Sequence, residues 1–281
     1  MGLITVIIPT LNRQKLLLKL VKSLNTHTKI DKIIVVNTSS VNIKFNTQKT
    51  LVINNKNLLV GKNIALNTVK TPWVLFLDDD ILIKPDVINS FLQNFNKYSF
   101  DAASGLIIQK NFIKNLLINS TPYGFFTFFK VGSLNYKNVY KSKPYKCNFL
   151  PGGFLFVKTS CIKNVGGFDQ KYLFPYFNED TDVTLRMQKF GYKIMVIPNI
   201  TAVHLKHKSG GTRTKISVKD WYYAFGFNNS YFYFKNFNLF YYFLYFLFNL
   251  RDFANVLLKF NIRVYIMYIK GILYGYKKSL S

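Results

Sequence analysis

The stretch Trp73-Val74-Leu75-Phe76-Leu77-Asp78-Asp79-Asp80 runs from five apolar residues directly into three adjacent aspartates. Short apolar runs of this kind are typical of strands that are buried on both faces of a parallel sheet. Similar runs and helical patterns alternate ahead of it: strands at Ile4 to Ile8, Lys32 to Val36 and Leu51 to Ile53, and helices at Leu16 to Leu24 and Gly61 to Val69. The alternation predicts an α/β fold with a Rossmann-like, mostly parallel central sheet flanked by helices.

Polar segments follow three of these strands. The loop that opens at Pro9 follows the first strand, Asn37 follows the second, and Asp78 to Asp80 follow the fourth. Ligands of parallel α/β sheets bind beyond the carboxyl ends of the strands. We therefore expect the three segments to line one cleft.

A second group of acids lies in Asn178-Glu179-Asp180-Thr181-Asp182, at the start of a predicted helix that reaches about Gly191. The chain has twelve acidic residues against thirty-eight lysines and arginines, and six of the twelve fall in these two groups. Clustered like charges repel one another, so they usually persist where a cation such as a metal ion holds them. The pattern indicates a metal-assisted enzyme, with helix capping by the acids as the alternative.

The aspartate group is suited to a divalent metal. Alternation along a strand points Asp78 and Asp80 to the same side, where carboxylates bind Mg²⁺ or Mn²⁺ together with substrate phosphates. His204 follows a predicted strand and leads into the segment Lys206 to Arg213, whose glycines and basic side chains could fold over a diphosphate and neutralise it. We expect His204 to contact a metal or a phosphate, and His207 to lie at the surface.

The formal net charge of +26 favours polyanionic partners: nucleic acid, phosphorylated glycans, nucleotide substrates or anionic lipid. A basic nucleic-acid-binding protein is the weaker reading, because no RNA-recognition aromatic motif or zinc finger is present. A nucleotidyltransferase normally opens with a Gly-rich phosphate loop, which Pro9 to Arg13 do not form. Cys147 and Cys161 lack CxxC spacing and indicate free thiols in a reducing compartment. The N-terminus lacks signal-peptide features, so we expect a cytoplasmic protein, peripheral on the cytoplasmic face of the membrane.

The C-terminal part favours that membrane association. Leu239 to Phe248 is almost wholly apolar and aromatic, but it is shorter than the roughly 20 residues of a spanning helix. Beyond it, a helical wheel separates basic from apolar residues: Arg251, Lys259, Arg263, Lys270 and Lys277 on one side, and Phe253, Leu257, Phe260, Val264 and Met267 on the other. A basic amphipathic helix suits an anionic membrane surface. The alternative is a helix that packs on the catalytic domain with its basic face in solvent.

Together these motifs resemble those of glycosyltransferase family 2 enzymes with the GT-A fold, in particular bacterial rhamnosyl- or galactosyl-type transferases of surface glycans. The resemblance spans about residues 3 to 215. Its segments are Val6 to Arg13 as the opening strand and loop, Leu75 to Asp80 as the DxD motif, Pro151-Gly152-Gly153 and Gly166 to Asp169 as acceptor-side loops, Asn178 to Tyr192 as the ED motif and its helix, and His204 at a frequent metal-binding position. It implies a catalytic domain over 1–215, with a nucleotide-sugar-binding half over about 1–105 and an acceptor half over 106–215. The C-terminal aromatic and basic pattern predicts a helical, membrane-associating segment over 216–281.

The resemblance also implies a reaction, which is inverting, metal-dependent transfer of a sugar from a UDP-, dTDP- or GDP-linked donor to a hydroxyl of a glycan or lipid-linked glycan. Asp180 would be the general base, with Glu179 supporting either this base or the acceptor. The remaining implied residues are Asp80 and His204 for Mn²⁺ or Mg²⁺; Gly152 and Gly153 for the acceptor; and Pro9, Thr10, Asn12, Arg13, Asn37, Lys62, Asn63, Asp78, Asp79 and Arg213 for the donor. The family usually has Asp where this chain has Asn37, which leaves the nucleotide open. An inactive scaffold of the same fold is the alternative.

Overall fold

The computed structural model describes residues 2–45, 47–109, 143–205, 210–211, 216–237 and 262–281, together with positions 116–117, 240, 243 and 254. The described strands form one ten-stranded sheet. They are β1 (Ile4–Thr10), β2 (Ile30–Asn37), β3 (Thr50–Asn54), β4 (Trp73–Leu77), β5 (Ile81–Ile83), β6 (Ala102–Gln109), β7 (Leu116–Leu117), β8 (Tyr145–Lys146), β9 (Phe154–Lys158) and β10 (Ile194–His204). The described helices are α1 (Gln14–Asn25), α2 (Leu58–Thr68), α3 (Val87–Tyr98), α4 (Thr159–Asn164), α5 (Glu179–Lys189), α6 (Val218–Asn236) and α7 (Ile262–Ser279).

The sheet has the strand order β3-β2-β1-β4-β9-β6-β10-β5, with β7 paired to β6 and β8 paired to β10. Strands β1 to β4 run parallel to their neighbours within this group, as their alternation with helices predicted. Strand β9 is antiparallel to both β4 and β6, so the sheet is mixed. Because β9 runs against β4, the loop that precedes Phe154 lies at the edge where β4 ends.

The core lies on both faces of the sheet. On β1, Val6 and Ile8 face the side covered by α1 and α3, whereas Ile7 faces the side covered by α2, α5 and α6. All three side chains are fully buried. Successive residues of a strand point to opposite faces, so a strand covered on both faces must be apolar throughout. The expected layered α/β architecture is confirmed.

The apolar run Lys193 to Ile197 predicts a short strand, but the corresponding strand β10 continues to His204. Its pairing with β6 shifts register between Val196 and Thr201. Pro198 lies within this shift; a proline cannot donate a ladder hydrogen bond, and strands tolerate it at bulges. The apolar alternation is interrupted there, which is why the sequence pattern ended the strand too early. The extension carries His204 to the edge where β4 ends.

Helix α6 packs into the main core rather than forming a separate layer. Its residues Phe227, Tyr231 and Phe232 belong to the same buried cluster as β1 and α2, and Asn228 is fully buried. The division of the chain at residue 215 stays a prediction. The helix nevertheless contacts the fold that carries the site.

Helix α7 packs on α6 through glycines. A Cβ atom at Gly271 would collide with the backbone oxygen of Tyr223, and one at Gly275 with that of Phe227. Glycines four residues apart therefore allow the two backbones to touch. Val264 also faces α6 and is buried, whereas the wheel placed it on a free apolar face. The other wheel residues before Ile262, and Leu239 to Phe248 apart from positions 240 and 243, lie outside the described residues.

Among the described residues, none of the helices combines the length and the apolar character that a membrane crossing requires.

Candidate active site

The carboxyl ends of the strands meet at one edge of the sheet. Thr10 at the end of β1 pairs in register with Asn37 at the end of β2. Asp78 follows β4 directly, and its backbone N–H donates to the carbonyl of Gly153 at 2.9 Å. His204 at the end of β10 is paired with the start of β5. Four segments that are distant in sequence thus reach one cleft, as the strand-end rule predicts.

The three aspartates form a turn rather than the end of a strand. Strand β4 stops at Leu77, and the N–H of Ile81 donates to the carbonyl of Asp78 at 3.1 Å. The strand-alternation argument for Asp78 and Asp80 is therefore wrong, because the turn sets the direction of each side chain separately. The capping alternative is also wrong here, since the turn leads into β5 and not into a helix.

Arg13 connects two of these aspartates. Its Nη1 lies 2.8 Å from Oδ1 of Asp79 and 3.0 Å from Oδ2 of Asp80, and all three side chains are buried. Asp79 also accepts a hydrogen bond from the hydroxyl of Thr10 at 2.7 Å. Burial raises the pKa of the Asp79 carboxyl to about 6, although the hydrogen bonds from Arg13 and Thr10 lower it. An internal guanidinium, rather than a metal ion alone, compensates this pair of carboxylates.

Asp80 and His204 form the predicted metal-binding pair. Oδ1 of Asp80 lies 3.3 Å from Nε2 of His204, so one carboxylate oxygen and one imidazole nitrogen face each other. Within the described part of the chain, no group of three or more His, Cys, Asp or Glu side chains is placed to hold a metal ion. A metal at this pair would need further ligands from a substrate or from water.

Asp180 lies in the first turn of α5 with both carboxylate oxygens engaged. Oδ2 accepts from the N–H of Gly152 at 2.9 Å, and Oδ1 accepts from the N–H of Thr181 at 2.8 Å. The N-cap residue of this helix is Asn178, whose side chain makes no capping hydrogen bond. Asp180 is therefore oriented by backbone donors and is not the residue that caps the helix.

Glu179 forms a buried ion pair with α2. Its Oε1 lies 2.6 Å from Nζ of Lys62, while its Oε2 is buried with no hydrogen-bond partner. Burial raises the pKa of Glu179 to about 7; the Lys62 ammonium lowers it and neighbouring Asp180 raises it. Lys62 was predicted to bind the donor, and in the structure its Nζ forms this ion pair with Glu179.

Asp182 turns away from the site. It is fully buried and contacts Nε of Arg186 at 2.9 Å and Nζ of Lys235 at 2.8 Å. It also accepts a hydrogen bond from Nδ2 of Asn236 at 2.9 Å. These contacts join α5 to α6, so the third acid of the second group holds the fold together.

Two glycines separate the groups of acids. A Cβ atom at Gly153 would lie 2.5 Å from Oδ2 of Asp78, and one at Gly152 would lie 2.9 Å from Cβ of Asp180. Real Cβ atoms do not approach other atoms so closely, and only glycine leaves the space free. The loop before β9 thus brings Asp78 and Asp180 to opposite sides of one Gly-Gly step.

Two cavities meet at this step. The first has a volume of about 260 Å³ and is lined by Thr10, Arg13, Thr38, Lys56, Asp79, Asp80, Phe174, His204 and Gly211, among others. The second has a volume of about 450 Å³ and is lined by Lys62, Gly152, Gly153, Pro175, Phe177, Asn178, Glu179, Asp180 and Trp221. Pro9, Leu58, Asp78 and Tyr176 line both. Asp78 therefore stands where the two spaces join, and burial raises the pKa of its carboxyl.

Two residues predicted to bind the donor use their side chains to hold loops. Asn37 uses its amide within its own loop: Nδ2 donates to the carbonyl of Val41 and to Asn54, and Oδ1 accepts from Ser39. The Asn63 side chain bonds both backbone groups of Phe168 and so fixes the Gly166–Phe168 loop. Asn12 is exposed with a φ of 57°. Arg213, also predicted to bind the donor, and His207, expected at the surface, lie outside the described residues.

The sequence did not indicate the aromatic side of the larger cavity. Tyr176 and Asn178 have positive φ values of 64° and 67°, which non-glycine residues rarely adopt. Two asparagines of α6 hold this loop: Asn228 bonds the backbone of Leu173 in both directions, and Asn229 accepts from Asn178 at 2.8 Å. Such backbone conformations cluster at functional sites. In the sequence, the adjacent pair Asn228-Asn229 within an otherwise aromatic helix could have indicated that α6 holds this loop.

Comparisons with known proteins agree with this geometry. The family model described as "Glycosyl transferase family 2" matches residues 5–166, which is more than half of the chain. Rhamnosyltransferase WbbL of Escherichia coli (strain K12) is 26% identical over 161 residues, which are 52% of this chain and 60% of that protein. The chain thus spans less than two thirds of this curated relative.

Solved structures share the fold. TarS 1–349 of S. aureus in complex with UDP-GlcNAc superposes with a TM-score of 0.64 at 16% identity, over 100% of this chain and 82% of that chain. GalNAc-T7 with UDP, GalNAc and Mn²⁺ gives a TM-score of 0.58 at 13% identity, over 98% of this chain and 56% of that chain. At these identities the likeness concerns the fold alone, and it confirms the expected GT-A architecture.

Proposed function

We propose that this chain, a glycosyltransferase that belongs to glycosyl transferase family 2, moves a sugar from a nucleotide-sugar donor to a hydroxyl of a glycan or lipid-linked glycan. The transfer inverts the configuration of the anomeric carbon. The observation that carries the proposal is the junction of the two cavities, where Asp78 and Asp180 flank the Gly152-Gly153 step. One cavity offers the residues for a charged donor, and the other offers a carboxylate for an acceptor.

The smaller cavity suits the nucleotide diphosphate. Structures of TarS and GalNAc-T7 were solved with UDP-GlcNAc and with UDP, respectively, which supports a nucleotide-sugar donor for this chain. Asp80 fits Mn²⁺ or Mg²⁺, because both ions accept carboxylate oxygens together with substrate phosphates, and His204 would add one nitrogen ligand. When bound there, the metal would neutralise the charge of the leaving diphosphate. Lys56 lines the same cavity and supplies a further positive charge.

Asp180 is positioned to act as the general base. The N–H groups of Gly152 and Thr181 hold its carboxylate in one orientation in the larger cavity. A hydroxyl in this cavity would give its proton to Asp180 while its oxygen attacks the anomeric carbon near Asp78. Attack comes from the side opposite to the diphosphate, so a single displacement inverts the anomeric configuration. Glu179 lies beside the base and supports the acceptor.

Nucleotide release from a panel of UDP-, dTDP- and GDP-sugars tests the proposal, with Mn²⁺, Mg²⁺ or a chelator and with candidate glycan acceptors. We expect metal-dependent release from one donor, abolished in Asp180→Asn and retained in Asp86→Asn, a control at an exposed aspartate. Silence across the panel with acceptors present would favour an inactive scaffold of the same fold. Release that Asp180→Asn leaves intact would contradict the assigned base.

We also propose that α7 docks the enzyme on an anionic membrane surface at the cytoplasmic face. The side of α7 opposite α6 exposes an apolar stripe at helical spacing: Ile262, Ile266 and Leu273, continued by Leu280, with exposed fractions from 44% to 73%. Arg263, Lys270 and Lys277 form an exposed row beside it at seven-residue intervals. An apolar stripe with an adjacent basic row is complementary to a bilayer that carries anionic headgroups.

Vesicle flotation tests the docking face. We expect Ile266→Asp/Leu273→Asp to bind phosphatidylglycerol-containing vesicles at least about tenfold more weakly, since each change places a charge where apolar surface meets the lipid. Ile64→Asp, at an equally exposed isoleucine of α2, should bind normally. Equal binding of the stripe variant would contradict the proposal, as would a wild-type dimer that the stripe variant converts to a monomer. Point changes are preferable to deleting 239–281, because that deletion also uncovers α6.

A further inference from the structure

An aromatic wall forms one side of the larger cavity. Phe177 lies on the loop before α5 and Trp221 lies in the first turn of α6, and both line the cavity that contains Asp180. Their ring centroids are 5.3 Å apart at an interplanar angle of 78°. Neither residue belongs to the acid groups or to the glycine loops. They give the cavity a broad apolar surface beside its carboxylates.

The wall is held in place by the helices behind it. Trp221 stacks on Phe225 with centroids 5.2 Å apart and rings within 10° of parallel. Phe225 in turn lies 6.1 Å from the ring of Tyr268 on α7. Phe177 contacts Phe225 edge to face at 5.3 Å. A side-chain surface fixed in this way loses little conformational entropy when a ligand binds to it.

Glu179 gives the same cavity a polar atom that can bond to a ligand. Its Oε2 is buried and has no hydrogen-bond partner, and its residue lines the same cavity. A buried polar atom without a partner is costly unless a ligand or water satisfies it. The cavity thus combines a flat apolar wall with a buried oxygen and the Asp180 carboxylate.

We propose that Phe177 and Trp221 form a subsite for a pyranose ring of the acceptor, which packs on the wall and presents one hydroxyl to Asp180. This inference rests on the proposed function and deepens it. A pyranose has a face of C–H groups that packs on aromatic rings and an equator of hydroxyls that bond to carboxylates. A linear polyol has no such face. A cavity of about 450 Å³ lies within the usual size range of small-ligand sites.

Tryptophan fluorescence gives a direct test, because the chain has two tryptophans and the other, Trp73, is buried in the core. The probes are methyl pyranosides of glucose, galactose, mannose, rhamnose and N-acetylglucosamine, with sorbitol as the linear polyol, each added with UDP and Mn²⁺ present. We expect a saturable change with at least one pyranoside and none with sorbitol. Trp221→Phe should abolish the change, which identifies the reporting ring.

Phe177→Ala keeps Trp221 as the reporter and should weaken pyranoside binding about tenfold, because it removes part of the wall. Phe190→Ala, at an aromatic residue that is 64% exposed, is the matched control and should bind normally. Equal responses to sorbitol and pyranosides, an unchanged affinity in Phe177→Ala, or no response to any pyranoside would each overturn the proposal. Donor turnover measured in parallel on the wild type separates these outcomes from a failure of the proposed function itself.

Discussion

The two groups of acids look alike in sequence but differ in how the fold uses them. Asp78 to Asp80 form a turn after β4, and Glu179 to Asp182 form the first turn of α5. Each group sends one carboxylate to the junction of the cavities, Asp78 from the first and Asp180 from the second. The other acids are paired with buried or half-buried bases from distant parts of the chain.

The two groups differ in how many bases form ion pairs with their acids. In the first group, Arg13 contacts both Asp79 and Asp80, so one guanidinium orders the turn that carries Asp80, the carboxylate proposed to bind a metal. In the second group, the acids pair with different bases: Lys62 forms an ion pair with Glu179 in the cavity, and Lys235 forms one with Asp182 in the core. Clustered carboxylates in a basic chain therefore do not by themselves indicate how many ligands a metal has.

The largest expected effect is on turnover. Asp180→Asn should lower the transfer rate by about 10³-fold, because general-base catalysis contributes on this scale. Its free energy of unfolding should fall by about 1–2 kcal/mol, since the amide oxygen can accept only one of the two hydrogen bonds that Gly152 and Thr181 donate to the separate carboxylate oxygens. Steady-state rates and urea unfolding measure the two quantities. A large loss of stability would mean that Asp180, like Asp182, mainly stabilises the fold.

Asp182→Ala should show the reverse pattern. Removing this fully buried carboxylate leaves Arg186 and Lys235 without it, and such changes cost about 3–5 kcal/mol. We expect the loss of unfolding free energy in Asp182→Ala to lie below the upper end of this range, because Lys235 keeps its ion pair with Asp169. Urea unfolding measures the loss. Wild-type stability in this variant would contradict the assignment of Asp182 to the fold.

Glu179 makes stability depend on pH. Its pKa of about 7 in the folded state lies above its usual value of 4.5, so the folded state binds more protons between these values. Stability from this group is therefore present below about pH 4.5 and is lost as the pH rises to about 7, by roughly 3 kcal/mol. Glu179→Gln should flatten the unfolding free energy over that window.

The charged and titratable groups that face Glu179 are Lys62, Asp78, Asp180 and Tyr176. Lys62→Met removes the cation that lowers the pKa of Glu179 and should shift the window to higher pH. Unfolding curves collected from pH 4 to pH 8 compare the three proteins. Identical pH profiles for the wild type and Glu179→Gln would contradict the role assigned to this carboxyl.

The smallest expected effect concerns the first group. Arg13→Lys keeps a positive charge, but its flexible ammonium does not hold Asp79 and Asp80 in the fixed geometry that Nη1 of the rigid guanidinium gives them. Residues that orient metal ligands typically change metal affinity by 10–100-fold, so we expect the half-saturating Mn²⁺ concentration to rise by about tenfold. Titration of Mn²⁺ binding and of activity checks this. An unchanged half-saturation would mean that Arg13 acts only in folding.

The sequence predicted the sheet because its signals were local. The strand Trp73–Leu77 was recovered with both bounds and the helix from Glu179 with its start, since an apolar run and an acid-rich helix start are visible within a few residues. The continuation of β10 to His204 was missed because Pro198 interrupts the local pattern and the neighbouring strand restores the pairing. Local patterns cannot report such tertiary support.

The site was predicted in part for the same reason. The sequence shows which acids cluster, but partners such as Lys235 of Asp182 and Lys62 of Glu179 lie 53 and 117 residues away along the chain. Asn63 lies on a helix facing the site, yet it bonds to Phe168 across the fold. Trp221 belongs to a helix that the sequence assigned to the membrane-associating segment. These contacts depend on how elements pack, which no spacing along the chain encodes.

We propose that Asp78 lies on the donor side and Asp180 on the acceptor side of one displacement at the anomeric carbon. Once the donor is identified, the anomeric configuration of the fresh product, read from proton NMR coupling constants before any equilibration, tests this proposal. We expect a product whose anomeric configuration is inverted relative to the donor. A product that retains the donor configuration would contradict the proposal.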